Sequence, residues 1–174
     1  MMGLAVAAQP PPLGMSIELA LTTGMRRGEV CALRWSDLGD DGTVTVSHAL
    51  GNAESGFCLK ESKTQSSRRT IPLTRHTRQA LRDMRAESIR KIAAFGLSGD
   101  PFVLGTQEPD SCSYNPTQIG KDFAAFCKMN GFRCTFHDLR HTFATMMIAA
   151  GTDVRTVASH LGHASISMTL NIYA

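Results

Sequence analysis

The stretch Phe136-His137-Asp138-Leu139-Arg140-His141-Thr142-Phe143, running on to Ala150 and stopped by Gly151, constrains the fold of this 174-residue chain more than any other segment. Its apolar spacing and terminal glycine predict a helix over residues 137–150. On such a helix His137 and Arg140 stand three residues apart, so their side chains leave one face about 5–6 Å apart at Cβ and can reach one anion together. A guanidinium at Arg140 can fork onto two phosphate oxygens and keeps its charge at any physiological pH. Close behind come Leu161-Gly162-His163 and a phenol at Tyr173. This set suits attack on a phosphodiester.

The rest of the chain reads as mixed α+β and mainly helical. Ser16 stands where it can cap a helix carrying Ile17, Leu19, Ala20 and Leu21, and Gly24 breaks or bends it before Arg26. A second helical segment spans about residues 27–33. The period then changes to alternation at 43–47, with further short strand candidates at 57–59 and 69–71, which predicts a small antiparallel three-stranded sheet. Lys63 falls in the polar turn between the last two. Helical period returns over 75–95, with Leu81, Met84, Ser88, Ile92 and Phe95 on one side. Arg75, Arg78, Arg82 and Arg85 share a neighbouring face, which is either a solvated charged surface or a set of phosphate contacts. Residues 115–130, 152–161 and 165–172 complete a helical C-terminal bundle.

With 43% hydrophobic residues, the chain can build one core and is too short to promise two. A net charge of +3 permits a polyanionic partner without demanding one. The five cysteines, Cys31, Cys58, Cys112, Cys127 and Cys134, are odd in number and irregular in spacing, which argues against a disulfide framework and for a reducing compartment. The apolar opening Met1 to Ala8 lacks a basic flank and runs into Gln9-Pro10-Pro11-Pro12. It is too short for a membrane span and poor as a signal peptide.

A second cationic group lies upstream in Thr23-Gly24-Met25-Arg26-Arg27-Gly28-Glu29-Val30, followed by Leu33-Arg34-Trp35-Ser36-Asp37-Leu38. This run resembles the first arginine box of the tyrosine recombinases, the phage-integrase family. His137-x-x-Arg140 with Leu161-Gly162-His163 and Tyr173 resembles the family's second box. Lys63, in Glu61-Ser62-Lys63-Thr64 ahead of Arg68-Arg69-Thr70-Ile71-Pro72-Leu73, matches its hairpin lysine. All six catalytic positions are filled in family order, and the matched segments span about residues 17–174.

The resemblance implies a role for each residue. Attack by a phenol on a DNA phosphodiester gathers extra negative charge on five-coordinate phosphorus, so preorganised cations are the largest source of stabilisation. Arg26 and Arg140 would supply them, with Glu29 buttressing Arg26 from i+3. Tyr173 would be the nucleophile, forming a 3′-phosphotyrosyl bond and releasing a 5′-hydroxyl. Lys63 would protonate the leaving oxygen, and His137 and His163 would position the phosphate and assist proton transfer. Taken singly, each has a plainer reading: a surface arginine, a helix ion pair, a turn lysine, packed histidines, a packed tyrosine. Tyr114 reads as structural.

The implied function is integration or excision of a mobile element, acting on double-stranded DNA attachment sites, with dimer resolution as the runner-up. No metal, ATP or other cofactor is implied. Self-association to a tetramer on DNA is expected of the full-length protein, in the cytoplasm of a bacterium or as a phage product, with no membrane role. Two rivals stand beside this reading. Cys134-x-x-His137-x-x-x-His141 with His160-x-x-His163 has the look of a zinc constellation. A DNA-binding remnant would keep the fold and lose the activity. Residues 1–14 are expected to be a remnant or disordered terminus and 15–174 the catalytic domain, without the family's usual N-terminal clamping domain and C-terminal tail.

Overall fold

The computed structural model describes residues 11–53, 56–61, 68–95, 99–105 and 113–163. Helix α1 (Pro11–Thr23) is the centre of the core, with Ile17, Leu19 and Ala20 fully buried. It packs against α2 (Arg27–Ala32), α3 (Arg75–Phe95), α4 (Pro116–Asn130) and α5 (Phe136–Ala149), which explains why apolar residues surround it rather than line one stripe. The helix starts earlier than the expected cap at Ser16. Proline is well tolerated in a first turn, and Leu13 and Met15 are already buried, so residues 11–14, assigned from sequence to a terminal segment, form the first turn of α1. Ser16 lies inside the helix, its hydroxyl donating to the Leu13 carbonyl at 2.8 Å.

Gly24 ends α1 in the left-handed region, at φ 66°. A Cβ at this position would also fall 2.5 Å from Phe143 Cδ1 of α5 and 2.8 Å from Leu161 Cδ2 of α6 (Val154–Leu161). Gly24→Ala therefore combines backbone strain with overpacking and is expected to lower stability by about 2–4 kcal/mol. Urea unfolding measures this directly, and a loss below about 1 kcal/mol would mean that the turn has another low-energy form.

The expected single three-stranded sheet is corrected to two antiparallel ladders among the described residues. Strand β1 (Thr43–Val46) pairs with β4 (Arg69–Pro72), placing Val44 opposite Ile71 and Val46 opposite Arg69. Strand β2 (His48–Ala53) pairs with β3 (Gly56–Glu61), with Leu50 opposite Leu59. The strand missed in sequence is β2, because His-Ala-Leu-Gly-Asn-Ala shows no alternation and carries the poor strand formers glycine and asparagine. Helix α2 packs on β2 at close range: a Cβ on Gly28 would collide with the Leu50 carbonyl oxygen.

The later helices follow their sequence signals closely. Asn115 caps α4, its Oδ1 accepting from Thr117 N at 2.8 Å, and Gly131 ends it at φ 72°. Thr135 precedes α5 and donates from both its backbone N, at 2.7 Å, and its hydroxyl, at 2.8 Å, to Asp138 Oδ2. Asp153 caps α6, and Gly162 ends it at φ 62°. On α3, Leu81 and Ser88 face inward; the side chains of Ile92 and Phe95 lie outside those described, as do residues 165–172. Among the described residues no helix is long and apolar enough to cross a membrane.

Candidate active site

The turn after α1, the start of α2 and the start of α5 meet around one cleft of about 360 Å³, lined by Met25, Arg26, Arg27, Gly28, Thr135, Phe136, His137 and Arg140. The end of α6 joins them through the Leu161 and Gly162 carbonyls, which accept from Arg140 and Arg26. Two segments more than 100 residues apart in sequence thus supply its cations.

Arg140 projects from α5 and is 3% exposed. Its Nη1 donates to the Gly24 carbonyl at 2.6 Å and its Nη2 to the Leu161 carbonyl at 2.5 Å. Both acceptors belong to helix ends, where carbonyls lack an intrahelical partner and carry partial negative charge. The guanidinium is therefore fixed in plane by backbone from α1 and α6. Burial and then the neighbouring Arg26 charge push its pKa down to about 9, so it remains a cation at neutral pH.

Arg26 occupies the position before α2, where its backbone N donates to Glu29 Oε2 at 2.7 Å and its Nη1 to Glu29 Oε1 at 2.9 Å. Its Nη2 reaches the Gly162 carbonyl at 3.4 Å. Glu29 also takes a fork from Arg69 on β4, Nη1 to Oε1 at 3.1 Å and Nη2 to Oε2 at 2.8 Å. Burial raises the Glu29 pKa, but the Arg69 and Arg26 contacts outweigh it and the net shift is downward. One buried carboxylate thus aligns two guanidinia.

Arg69 was not among the residues singled out for chemistry. It is 8% exposed, and its Nε donates to the His160 carbonyl at 2.6 Å, so it ties β4 to α2 and α6. The signal was present in the strand period: Arg69 and Ile71 alternate inward with Thr70 and Pro72 outward. Arg27 was also passed over, and it lines the cleft beside Arg26 with its guanidinium against Gly120.

His137 lies at the mouth of the cleft, its ring edge-on to His141 with centroids 4.6 Å apart. Burial, then the charges of His141, Arg140 and Arg26, lower its pKa. His163 follows the Gly162 cap, and burial with Arg140, Arg26, Arg69 and His137 pushes it down to about 4. Both rings favour the neutral form, so each keeps one nitrogen able to accept a proton.

The His163 shift sets a pH dependence. An unfolded histidine takes up its proton near 6.5 and the folded one only near 4, so between these values the unfolded chain binds more protons. Stability should fall as pH drops through that window, and Glu29 adds to the loss below its ordinary value of 4.5. Urea midpoints at pH 7, 5.5 and 4.5 should decrease in that order, with a shallower slope in His163→Gln. A midpoint constant from pH 7 to 4.5 would contradict the burial of His163.

Lys63 and Tyr173 lie outside the described residues. Among the described residues no three His, Cys, Asp or Glu side chains converge as a metal site; Cys134 turns to Cys127, with Sγ atoms 3.6 Å apart. Arg78, Arg82 and Arg85 line a separate cleft of about 100 Å³ with Leu38, Leu73 and Leu81. It sits at the opposite end of the β1–β4 ladder from Arg69.

A family model described as the phage integrase family matches residues 7–174. The chain belongs to the phage integrase family. Among its relatives is the transposase from transposon Tn916 of Enterococcus faecalis, 31% identical over 165 residues, covering 91% of this chain and 41% of that protein. Tyrosine recombinase XerC of Xanthomonas axonopodis pv. citri is 32% identical over 165 residues, covering 91% of this chain and 46% of that protein. The solved structure of the Tn1549 transposon integrase in complex with transposon right end DNA superposes with a TM-score of 0.76 at 29% identity, over 92% of this chain and 54% of that one. The chain therefore spans about half the length, or less, of these relatives.

Proposed function

We propose that the chain is the catalytic part of a site-specific tyrosine recombinase that cuts and rejoins DNA through a 3′-phosphotyrosyl intermediate. The observation that carries this reading is the convergence of Arg26, Arg140 and His137 on one cleft, with Arg140 locked by two backbone carbonyls and Arg26 by a buried carboxylate. Arg26, Arg69 and Arg140 place three guanidinia around a single carboxylate, Glu29, so the cluster keeps a net positive charge that an entering anion would balance. A phosphodiester supplies that anion, and the transition state supplies more negative charge than the ground state.

In this reading Tyr173 Oη attacks phosphorus and the bond to O5′ breaks. The neutral rings of His163 and His137 help accept the phenolic proton, and Lys63 donates one to the departing O5′. Arg26 and Arg140 hold the non-bridging oxygens. Bond energy is conserved in the phosphotyrosine, and attack by a partner strand's 5′-hydroxyl reverses the step. Mobile-element integration or excision is favoured by the transposon names of the Tn916 and Tn1549 relatives. Double-stranded attachment sites are the proposed substrate, and a tetramer on DNA the proposed assembly.

The test is a nicked suicide DNA carrying the element's junction, run on a denaturing gel with Tyr173→Phe alongside. A covalent protein–DNA species is expected from the parent chain, reduced at least a hundredfold in the variant. An adduct that persists in Tyr173→Phe would remove Tyr173 from its role, and binding without any adduct would favour a DNA-binding remnant.

A further inference from the structure

We propose that Cys127 and Cys134 form a reversible disulfide site, oxidised by a low-molecular-weight disulfide of the glutathione type, which gives the cleft a redox input through the start of α5. The inference stands apart from the recombinase reading.

The two Sγ atoms are 3.6 Å apart, in contact but unbonded. Cys127 lies in the last turn of α4 and is 4% exposed; Cys134 lies just ahead of α5 and is half-buried. The connection between them is a tight turn in which Gly131 N and Phe132 N both reach the Cys127 carbonyl, the latter at 2.9 Å. Phe132 packs on Phe126 with ring centroids 5.9 Å apart, so one side of the turn is anchored. At Gly131 a Cβ would meet nothing within 4 Å, so the other side has room to adjust. A disulfide needs the sulfurs at about 2.05 Å, a closure of roughly 1.5 Å within reach of side-chain rotation and this open turn.

The chemistry assigns the order of attack. Burial, then the contact with Cys134, push the Cys127 pKa up to about 12, so the more accessible Cys134 is the sulfur that a small disulfide reaches first, losing its proton to water as it attacks. Cys134 displaces one thiolate from the small disulfide and becomes joined to the other half. Cys127 then gives its proton to water and attacks Cys134 Sγ, forming the Cys127–Cys134 bond and expelling the second thiolate. Two protein thiols are oxidised and one small disulfide is reduced to two thiols.

The bond would be felt at the cleft because Cys134 directly precedes Thr135. Thr135 holds Asp138 through its backbone N and its hydroxyl, and lines the cleft with Phe136 and His137. Drawing Cys134 toward α4 pulls on that cap.

The folded chain is treated with oxidised glutathione at neutral pH, quenched in acid, and examined by intact mass and by non-reducing peptide mapping. The expected product lacks two hydrogens and carries a Cys127–Cys134 link, forms at least tenfold faster in folded than in urea-unfolded chain, and is reversed by dithiothreitol. A stable glutathione adduct on Cys134, a link through another cysteine, or equal rates in folded and unfolded chain would overturn the site. In the same samples the Thr135 amide and His137 ring resonances should shift on oxidation and return on reduction. Unchanged resonances with the bond in place would overturn its connection to the cleft.

Discussion

Arg140→Lys is expected to slow covalent DNA adduct formation by about 10²–10³-fold, the usual effect of removing one preorganised donor from a site where charge develops. The size follows from how Arg140 is held. Its two terminal nitrogens are bound to the Gly24 and Leu161 carbonyls, which fixes the plane of the guanidinium and aims its remaining N–H donors. Lysine offers a compact ammonium on a flexible stem and cannot span two carbonyls and a phosphate in one plane. It would also leave a buried carbonyl unsatisfied, costing about 1–3 kcal/mol of stability. Single-turnover adduct formation on suicide DNA, with urea unfolding of the same variant, separates the two effects. A rate within threefold of the parent would make Arg140 a strut rather than a phosphate ligand.

Arg69→Met is expected to destabilise the protein by about 3–5 kcal/mol, because it strands one partner of a buried ion pair. Glu29 and Arg69 are 6% and 8% exposed, and losing the fork leaves the carboxylate with only Arg26. The double variant Glu29→Gln, Arg69→Met should recover much of that stability, since the buried pair is removed as a unit and the charge left over, on Arg26, is 41% exposed to solvent. It should still form adduct poorly, because Arg26 has lost the carboxylate that orients it. Unfolding and adduct assays on the two single variants and the double variant read this as a cycle. If Arg69→Met costs less than about 1 kcal/mol, the ion pair is not the strut described.

The parts of this site legible in sequence were those carried by local spacing. Thr-Gly-x-Arg-x-x-Glu placed Arg26 and Glu29 three residues apart at a helix start, and His-x-x-Arg did the same for His137 and Arg140. Helix ends were legible where Gly131 closed the 115–130 segment and Gly151 the 137–150 segment, since each acts through its own backbone. Non-local features were not. That Gly24 and Leu161 would both surrender carbonyls to Arg140 depends on the packing of α1, α5 and α6. Arg69 was hidden because an arginine in a short strand ordinarily faces solvent, and only the inward register with Ile71 says otherwise. Strand β2 escaped because its stability comes from pairing with β3 and from packing under Gly28, not from its own residues. The contact between Cys127 and Cys134 spans a turn whose geometry no composition rule encodes.

If the cations gathered around Arg140 serve a phenol at Tyr173, the covalent adduct carries its nucleotide on that residue. The most direct test is to recover the covalent adduct, digest both DNA and protein, and locate by mass spectrometry the residue that carries the nucleotide. Tyr173 is the predicted site. The competing tyrosine, Tyr114, donates to Asp122 Oδ2 at 2.7 Å, and that hydrogen bond with burial pushes its pKa up to about 12, so it is a poor nucleophile. A nucleotide found on Tyr114, or on any residue other than Tyr173, would contradict the account.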